Sequence, residues 1–173
     1  MLYSGAVFDI VILVLFLVAN NLEIPMSDEM FKKILIIEDD LDFRNSLRDA
    51  LAAEGFSVST ADDGEQAMER LLAQNPDMVI LDLLLPKVHG LEVLKRIRTY
   101  PQKDIALTPV IILSTLSSQA DIEKGQEMGV LAYFVKSRTK TKEVVDKIKE
   151  ILFGNSHAKT EEVWDFTKTD NIH

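Results

Sequence analysis

Apolar and polar residues alternate in blocks along the chain from Lys32 to Phe153. Short apolar runs of strand length are separated by longer stretches in which apolar residues recur at helical spacing. This alternation is typical of a parallel sheet that is covered by helices on both faces. The pattern predicts strands at residues 33–37, 57–61, 78–81, 110–113 and 132–135.

The intervening stretches predict helices over residues 40–53, from about 63 to the Asn75-Pro76 pair, 91–99, 119–128 and 140–153. In the second helix we expect both Leu71 and Leu72 to face the core. The fourth helix has few large apolar residues and contains Gly125, which costs about 1 kcal/mol relative to alanine in a helix. We therefore expect it to be the least stable helix.

Polar residues capable of chemistry stand where four of the predicted strands end. Glu38 and Asp39 follow the first strand, Asp82 follows the third, and Ser114 and Lys136 follow the fourth and fifth. In an open α/β sheet, ligands bind in the crevice outside the carboxyl ends of the strands. We therefore expect these carboxylates, the hydroxyl and the amine to converge on one site.

Three carboxylates at one site are costly unless a cation or bound protons compensate for their charge. Mg²⁺ is suited to this role because it prefers oxygen ligands and is typically held by one or two carboxylates together with phosphate. A simpler interpretation is that residues 38–40 only cap the first helix, as acidic residues often do. We assign the capping role to Asp40 and the metal site to Glu38, Asp39 and Asp82.

The motifs at the strand ends resemble those of the receiver domain of two-component response regulators. The resemblance covers residues 32–153 and implies a flavodoxin-like (βα)5 fold, a doubly wound parallel sheet with strand order 2-1-3-4-5. It also implies a single-domain response regulator, which is a signalling module rather than an enzyme. The residues that carry it are Glu38, Asp39, Asp82 with Pro86 four residues later, Ser114 after the PVIIL run, Tyr133, and Lys136 three residues after it.

The resemblance implies that Asp82 is the nucleophile that accepts a phosphoryl group. Attack by a carboxylate on a phosphoryl group gives an acyl phosphate. Lys136 and Ser114 are the expected catalytic partners that contact the phosphoryl oxygens. Ser114 and Tyr133 are the expected switch residues, since the ring of Tyr133 would turn inward when Ser114 moves toward the phosphoryl group.

The resemblance also implies the metal ligands and the partners. Mg²⁺ would be bound by Asp39 and Asp82, by Glu38 directly or through water, and by the backbone carbonyl of Leu84. The expected phosphoryl donor is a histidine kinase or a phosphotransfer protein, and the expected target is another protein that the sequence does not identify.

Two departures from the family pattern bear on these expectations. Ser137 stands where a proline usually follows the lysine, and a cis peptide bond before a residue other than proline costs about 3 kcal/mol. Residues 129–132 lack the acidic pair that DNA-binding receivers often use in dimer salt bridges, which argues against that kind of dimer.

The net charge, the cysteine content and the length of the chain exclude several classes of function. The formal net charge of -9 argues against direct binding of nucleic acid, which requires clustered Lys and Arg. The absence of cysteine excludes disulfides and thiolate chemistry. A length of 173 residues fits one well-packed domain with tails.

The first 29 residues differ from the rest of the chain. Residues 10–19 are apolar without interruption but are preceded by Asp9, and a bilayer-spanning helix needs about 20 mainly apolar residues. Residues 1–25 are a weak membrane anchor, an arm that packs on the domain or on a second copy, or a stretch upstream of a true start at Met26 or Met30. Because no basic residues precede the run, a secretory signal is not indicated, and we expect a cytoplasmic protein.

We therefore divide the chain into an apolar segment at residues 1–29, a receiver domain at 30–153 and a polar tail at 154–173. Trp164 and Phe166 in the tail form either a small docking patch or an exposed end.

Two other functions compete with the phosphoacceptor. A phosphatase of the haloacid-dehalogenase type also uses an aspartyl nucleophile and Mg²⁺, but it needs a second Asp two residues after the first, where this chain has Leu84. A pseudo-receiver that signals without phosphate is disfavoured because all five site residues are present.

Overall fold

The computed structural model describes residues 31–116 and 118–154, which contain a five-stranded sheet with every neighbouring pair of strands parallel. The strands lie where the hydrophobic pattern predicts them, and β4 continues one residue further, to Ser114. Their bounds are β1 Lys33–Ile37, β2 Ser57–Ala61, β3 Met78–Leu81, β4 Val110–Ser114 and β5 Ala132–Val135.

The order of the strands is β2-β1-β3-β4-β5, which confirms the predicted doubly wound topology. In β1, Ile34 pairs with Val58 of β2 on one side and with Met78 of β3 on the other. The chain thus winds outward to β2, returns past β1 and continues in the opposite direction from β3. Such a reversal opens a crevice at the carboxyl ends of the strands on either side of it, here β1 and β3.

The main helices are α1 Leu41–Ala53, α2 Gly64–Gln74, α3 Gly90–Arg98, α4 Gln119–Glu127 and α5 Thr141–Phe153. Asp40, Asp63 and Ser118 cap α1, α2 and α4, because their side chains accept hydrogen bonds from amides of the first turn. Asp40 and Asp63 therefore precede their helices, which begin one residue later than predicted.

A short helix, Lys103–Ala106, lies between α3 and β4 and was not predicted from the sequence. Four residues are too few to show a helical period. The helix buries Ile105, which belongs to the same hydrophobic cluster as α2 and α3.

The core consists of two hydrophobic clusters, one on each face of the sheet. Along β1 and β3 the side chains alternate between the clusters, as the two-residue period of a strand requires. One cluster includes Leu35 and Val79 and packs against α2 and α3. The other includes Ile34 and Met78 and packs against α1 and α5. Both faces are covered, which explains why β3 is apolar throughout.

One predicted core residue is wrong. Leu71 of α2 is buried, whereas Leu72 has 43% of its surface exposed. The buried residues of α2 are Gly64, Ala67 and Leu71, which lie on one face, and a step of one residue rotates the next side chain by about 100° away from that face.

The predictions for residues 1–29 and for Trp164 and Phe166 concern parts of the chain outside the described residues. Within residues 31–116 and 118–154, none of the helices has the length and apolar character needed to cross a membrane.

Candidate functional site

The polar residues at the strand ends come together at the carboxyl edge of the sheet. Glu38 follows β1, Asp82 follows β3, Ser114 ends β4 and Lys136 follows β5. Backbone hydrogen bonds continue the sheet through this edge, since the Asp82 amide donates to the Ile37 carbonyl at 2.9 Å. Because the strands are parallel and in register, side chains from four distant points of the sequence reach one site.

Asp82 is the hub of this site and is buried. Its Oδ1 accepts hydrogen bonds from the Ser114 hydroxyl at 2.6 Å and from the Leu84 amide at 3.0 Å. Its Oδ2 accepts a hydrogen bond from Lys136 Nζ at 2.5 Å. The amine and the hydroxyl thus bind different oxygens of the same carboxylate.

Lys136 contacts two carboxylates at once. Its Nζ lies 2.5 Å from Glu38 Oε2 as well as 2.5 Å from Asp82 Oδ2. Burial alone would lower the pKa of Lys136, but hydrogen bonds to Asp82 and Glu38 outweigh burial and raise its pKa above the ordinary value. The ammonium group also lies 4.7 Å from the ring centroid of Phe43, in the first turn of α1.

Glu38 is held from its side chain and from its backbone. Arg44 Nη1 donates to the Glu38 carbonyl at 2.6 Å, and the Asp40 amide donates to Glu38 Oε1 at 3.2 Å. Burial raises the pKa of Glu38, and Lys136 offsets this effect only in part. Asp40 accepts a hydrogen bond from the Phe43 amide at 2.9 Å, which confirms its predicted role as the cap of α1.

Carboxylate oxygens of Glu38, Asp39 and Asp82 all lie within 4.8 Å of one another. Glu38 and Asp82 are buried, whereas Asp39 is exposed to solvent. A set of carboxylate oxygens with one side open to water is suited to Mg²⁺, which retains several water ligands. The backbone of Leu84 borders this cluster through its amide bond to Asp82, and its predicted carbonyl contact to the ion stays a prediction.

The two predicted switch residues are connected through Leu116. Ser114 is fully buried, and its Oγ accepts a hydrogen bond from the Leu116 amide at 3.3 Å. The Leu116 carbonyl in turn accepts a hydrogen bond from the Tyr133 hydroxyl at 2.9 Å. The ring of Tyr133 already points inward, with only 8% of its surface exposed, and burial raises the pKa of its hydroxyl to about 12.

Sequence reasoning missed Leu116 because it is an apolar residue that acts through its backbone. It also missed the ion pair between Asp63, the cap of α2, and Lys87, in the loop between β3 and α3, whose side chains lie 2.5 Å apart. The peptide bond between Lys136 and Ser137 is trans.

Comparisons with known proteins agree with the geometry of the site. A family model described as "Response regulator receiver domain" matches residues 34–149. The transcriptional regulatory protein CpxR of Escherichia coli strain K12 is 38% identical over 120 residues, which cover 69% of this chain and 49% of CpxR. The chain thus spans about half the length of the curated relatives that it matches.

Solved structures show the same fold. The phosphorylated cyanobacterial phytochrome response regulator RcpA is 34% identical, with a TM-score of 0.62 over 75% of this chain and 97% of RcpA. The Mn²⁺-bound form of the response regulator Rcp1 is 29% identical, with a TM-score of 0.59 over 74% of this chain and 97% of Rcp1. On the family match, the fold and the constellation at its carboxyl edge, the chain belongs to the receiver-domain family of two-component response regulators.

Proposed function

We propose that this chain is a phosphoacceptor that receives a phosphoryl group on Asp82 from a histidine kinase or a phosphotransfer protein. The supporting observation is that the Asp82 carboxylate is held between the amine of Lys136 and the hydroxyl of Ser114, beside two further carboxylates. The amine and the hydroxyl are hydrogen-bond donors of the kind that the oxygens of a transferring phosphoryl group require.

In the proposed step, a carboxylate oxygen of Asp82 attacks phosphorus and a P–O bond forms. The P–N bond to the donor histidine breaks, and the imidazole keeps its electron pair and takes up a proton from solvent. Lys136 and Ser114 then donate to equatorial oxygens of the phosphoryl group instead of to the free carboxylate. Glu38, Asp39 and Asp82 would hold Mg²⁺, which would supply positive charge near the phosphoryl oxygens.

Replacement of the nucleophile tests this proposal. We expect Asp82→Asn to abolish covalent phosphorylation by acetyl phosphate and Mg²⁺, because the amide cannot form the acyl phosphate. Intact mass spectrometry measures the gain of one phosphoryl group. The control is Asp77→Asn, which changes a carboxylate at the opposite edge of the sheet and is expected to leave phosphorylation unchanged. Equal phosphoryl incorporation in Asp82→Asn and wild type would contradict the assignment.

The metal site has its own test. The double change Glu38→Gln with Asp39→Asn is expected to weaken Mg²⁺ binding, measured by titration calorimetry, because two of the three clustered carboxylates are lost. A matched control is Asp42→Asn with Asp49→Asn, which removes the same charge from exposed positions of α1. An unchanged Mg²⁺ affinity in the first double variant would argue against this pocket.

For the output, we propose that a partner protein binds the surface formed by α4, β5 and α5. The hydrogen bonds from Ser114 through Leu116 to Tyr133 run from the phosphorylation site to the loop that begins α4. Large apolar side chains are scarce in α4, and elements that switch are drawn from the less stable parts of a structure. Phosphorylation would then shift the population between two packings of this surface.

Hydrogen exchange with and without beryllofluoride, a phosphoryl mimic, tests the proposed output surface. We expect the first changes in amide exchange within residues 119–128 and in β5. Changes restricted to α1 and α2 would show that the signal leaves by another face.

The competing functions have less support. In place of the second aspartate of a haloacid-dehalogenase-type phosphatase, this chain has Leu84, whose side chain is 47% exposed and cannot act as an acid or base. The relatives CpxR and PhoP are named transcriptional regulators, and they are about twice as long as the matched region. We propose that this chain contributes the phosphorylation switch and contacts a protein rather than nucleic acid, consistent with its net charge of -9.

A further inference from the structure

Lys87 lies five residues after Asp82, in the loop between β3 and α3, and its backbone is left-handed with φ of 69°. A side chain with a Cβ atom rarely adopts this conformation, because Cβ approaches the following carbonyl oxygen too closely. Non-glycine residues persist in this region of φ and ψ when the surrounding structure holds them there. Contacts with the surrounding residues are therefore needed to hold the Lys87 backbone in its left-handed conformation.

Asp63 supplies the main contact. Lys87 Nζ donates to Asp63 Oδ2 at 2.5 Å, while Asp63 Oδ1 accepts from the amides of Glu65 and Gln66 at 2.9 Å each. One carboxylate thus caps α2 and holds the loop at the same time. The hydrogen bond from Lys87 lowers the pKa of Asp63, so the pair is ionised at neutral pH.

Steric contacts join the same loop to α2 and to the nucleophile. A Cβ atom at Gly64 would come within 2.5 Å of Val88 Cγ1, so the loop rests directly on the first turn of α2. A Cβ atom at Gly90 would come within 2.2 Å of the Asp82 carbonyl oxygen, so the end of the loop lies against the backbone of the nucleophile. The residues that follow Lys87 thus pack against α2 and against the backbone of Asp82.

Leu84 is the part of this loop that borders the site. Its amide donates to Asp82 Oδ1, and its carbonyl is the predicted backbone ligand of Mg²⁺. Neither atom can be adjusted by a side-chain rotation, because both belong to the backbone. Their placement depends on the conformation of residues 83–89. Two backbone hydrogen bonds, from Val88 to Pro86 and from Gly90 to Leu83, and the left-handed backbone of Lys87 together define this conformation.

We propose that Asp63 and Lys87 are positioning residues for the phosphorylation site. Their ion pair holds Lys87 in its left-handed conformation and thereby fixes the Leu84 backbone beside Asp82 and the Mg²⁺ site. This proposal rests on the proposed phosphoacceptor function and adds two residues that touch neither the metal position nor the phosphoryl group.

A double-mutant cycle in the full chain tests the proposal. Asp63→Asn keeps a capping side chain for α2, since Asn and Asp are equally good caps, but it removes the charge that binds Lys87. We expect faster exchange of the Leu84 amide by NMR and about threefold to tenfold weaker Mg²⁺ binding by calorimetry, below the roughly 10- to 100-fold typical of groups bonded directly to metal ligands. Lys87→Arg retains the charge and should leave both values near those of wild type.

The second arm of the cycle uses Lys87→Gly, because glycine adopts a positive φ without help from a partner. In the Lys87→Gly background, Asp63→Asn is expected to change the exchange rate of the Leu84 amide and the Mg²⁺ affinity by less than about twofold. The reason is that the Asp63–Lys87 ion pair is already absent in this background. Asp77→Asn, which removes the acid of another Asp–Lys pair at the far edge of the sheet, should leave both values unchanged.

The outcomes separate the possibilities. An equal effect of Asp63→Asn in both backgrounds would overturn the proposal, because the carboxylate would then act without Lys87. No effect in either background would also overturn it, because the loop would keep its shape without the pair. If wild type takes up no phosphoryl group, the proposed function fails, while Leu84 exchange and Mg²⁺ affinity still decide the role of the pair.

Discussion

Two partly buried cations lie at opposite edges of the sheet and have different partners. Lys136, at the carboxyl edge, binds the carboxylates of Asp82 and Glu38. Arg98, the last residue of α3, lies at the amino edge and donates to four backbone carbonyls. These belong to Met128 at 2.8 Å, Thr108 at 2.9 Å, Ala106 at 3.1 Å and Gly129 at 3.2 Å.

The difference in partners separates a structural role from a chemical one. Burial lowers the pKa of Arg98, and its neutral carbonyl partners are fixed at the C-terminal ends of the short helix and of α4. The carboxylates around Lys136 instead raise its pKa. In the proposed function, the same carboxylates bind the metal ion and Asp82 accepts the phosphoryl group. Burial of a cation is therefore a weak indication of function, whereas its ionisable partners are a strong one.

Removal of Lys136 should have the largest effect. We expect Lys136→Met to slow phosphorylation by acetyl phosphate about 100-fold, as for the loss of one donor to a developing charge. We also expect a loss of about 3 kcal/mol in the free energy of unfolding without Mg²⁺, because two buried carboxylates lose their partner. Added Mg²⁺ should recover part of this loss, which urea unfolding would measure.

The control for this variant is Lys142→Met, which removes an exposed lysine paired with Asp146 on α5. It should cost less than about 0.5 kcal/mol and leave phosphorylation unchanged. A phosphorylation rate of Lys136→Met close to that of wild type would show that Lys136 does not take part in phosphoryl transfer.

Removal of Arg98 should affect stability without affecting chemistry. We expect Arg98→Met to lower the free energy of unfolding by about 2 to 4 kcal/mol, because four backbone carbonyls lose their donor and three of these hydrogen bonds are partly buried. Phosphorylation of the folded fraction should stay within about twofold of wild type, since the site lies at the other edge. Arg98→Lys should recover only part of the stability, because an ammonium group cannot reach several fixed carbonyls as a guanidinium does.

If the phosphorylation rate of folded Arg98→Met fell well beyond this twofold range, the division between the two edges would be contradicted. Such a result would mean that the junction of α3 and α4 is coupled to the site.

Among the positions Lys136, Arg98 and Asp77, the smallest effect is expected at Asp77. It binds Lys32 Nζ at 2.7 Å and the Lys33 amide at 2.8 Å at the amino edge. Burial raises its pKa, but these hydrogen bonds outweigh burial, and the pKa lies below its ordinary value of 3.8. Its carboxylate therefore contributes stability above pH 3.8 that is lost as the pH falls through the folded-state pKa.

We expect Asp77→Asn to cost less than about 1 kcal/mol at neutral pH, because the pair is partly exposed. The difference from wild type should disappear in acid. Urea unfolding at several pH values measures this difference, and a cost that grows as the pH falls would have the wrong sign for a lowered pKa.

The agreement between sequence and structure differs from one element to the next. The apolar run Met78–Leu81 was predicted as a strand buried on both faces and is one. The short helix Lys103–Ala106 escaped prediction because four residues do not complete enough turns to show a period. Leu72 was placed in the core because it is apolar, although neighbouring Leu71 already occupies the inward face of α2.

The sequence by itself determined the succession of strands and helices along the chain, the family, and the residues that gather at the carboxyl edge of the sheet. These features follow from local periodicity and from motifs whose position at strand ends is set by the chain itself. Contacts between elements that are far apart in sequence were decided only by the tertiary structure. They include the Lys87–Asp63 pair, the carbonyls around Arg98 and the ring of Phe43 against Lys136. No local pattern encodes them, because each depends on how two packed elements approach one another.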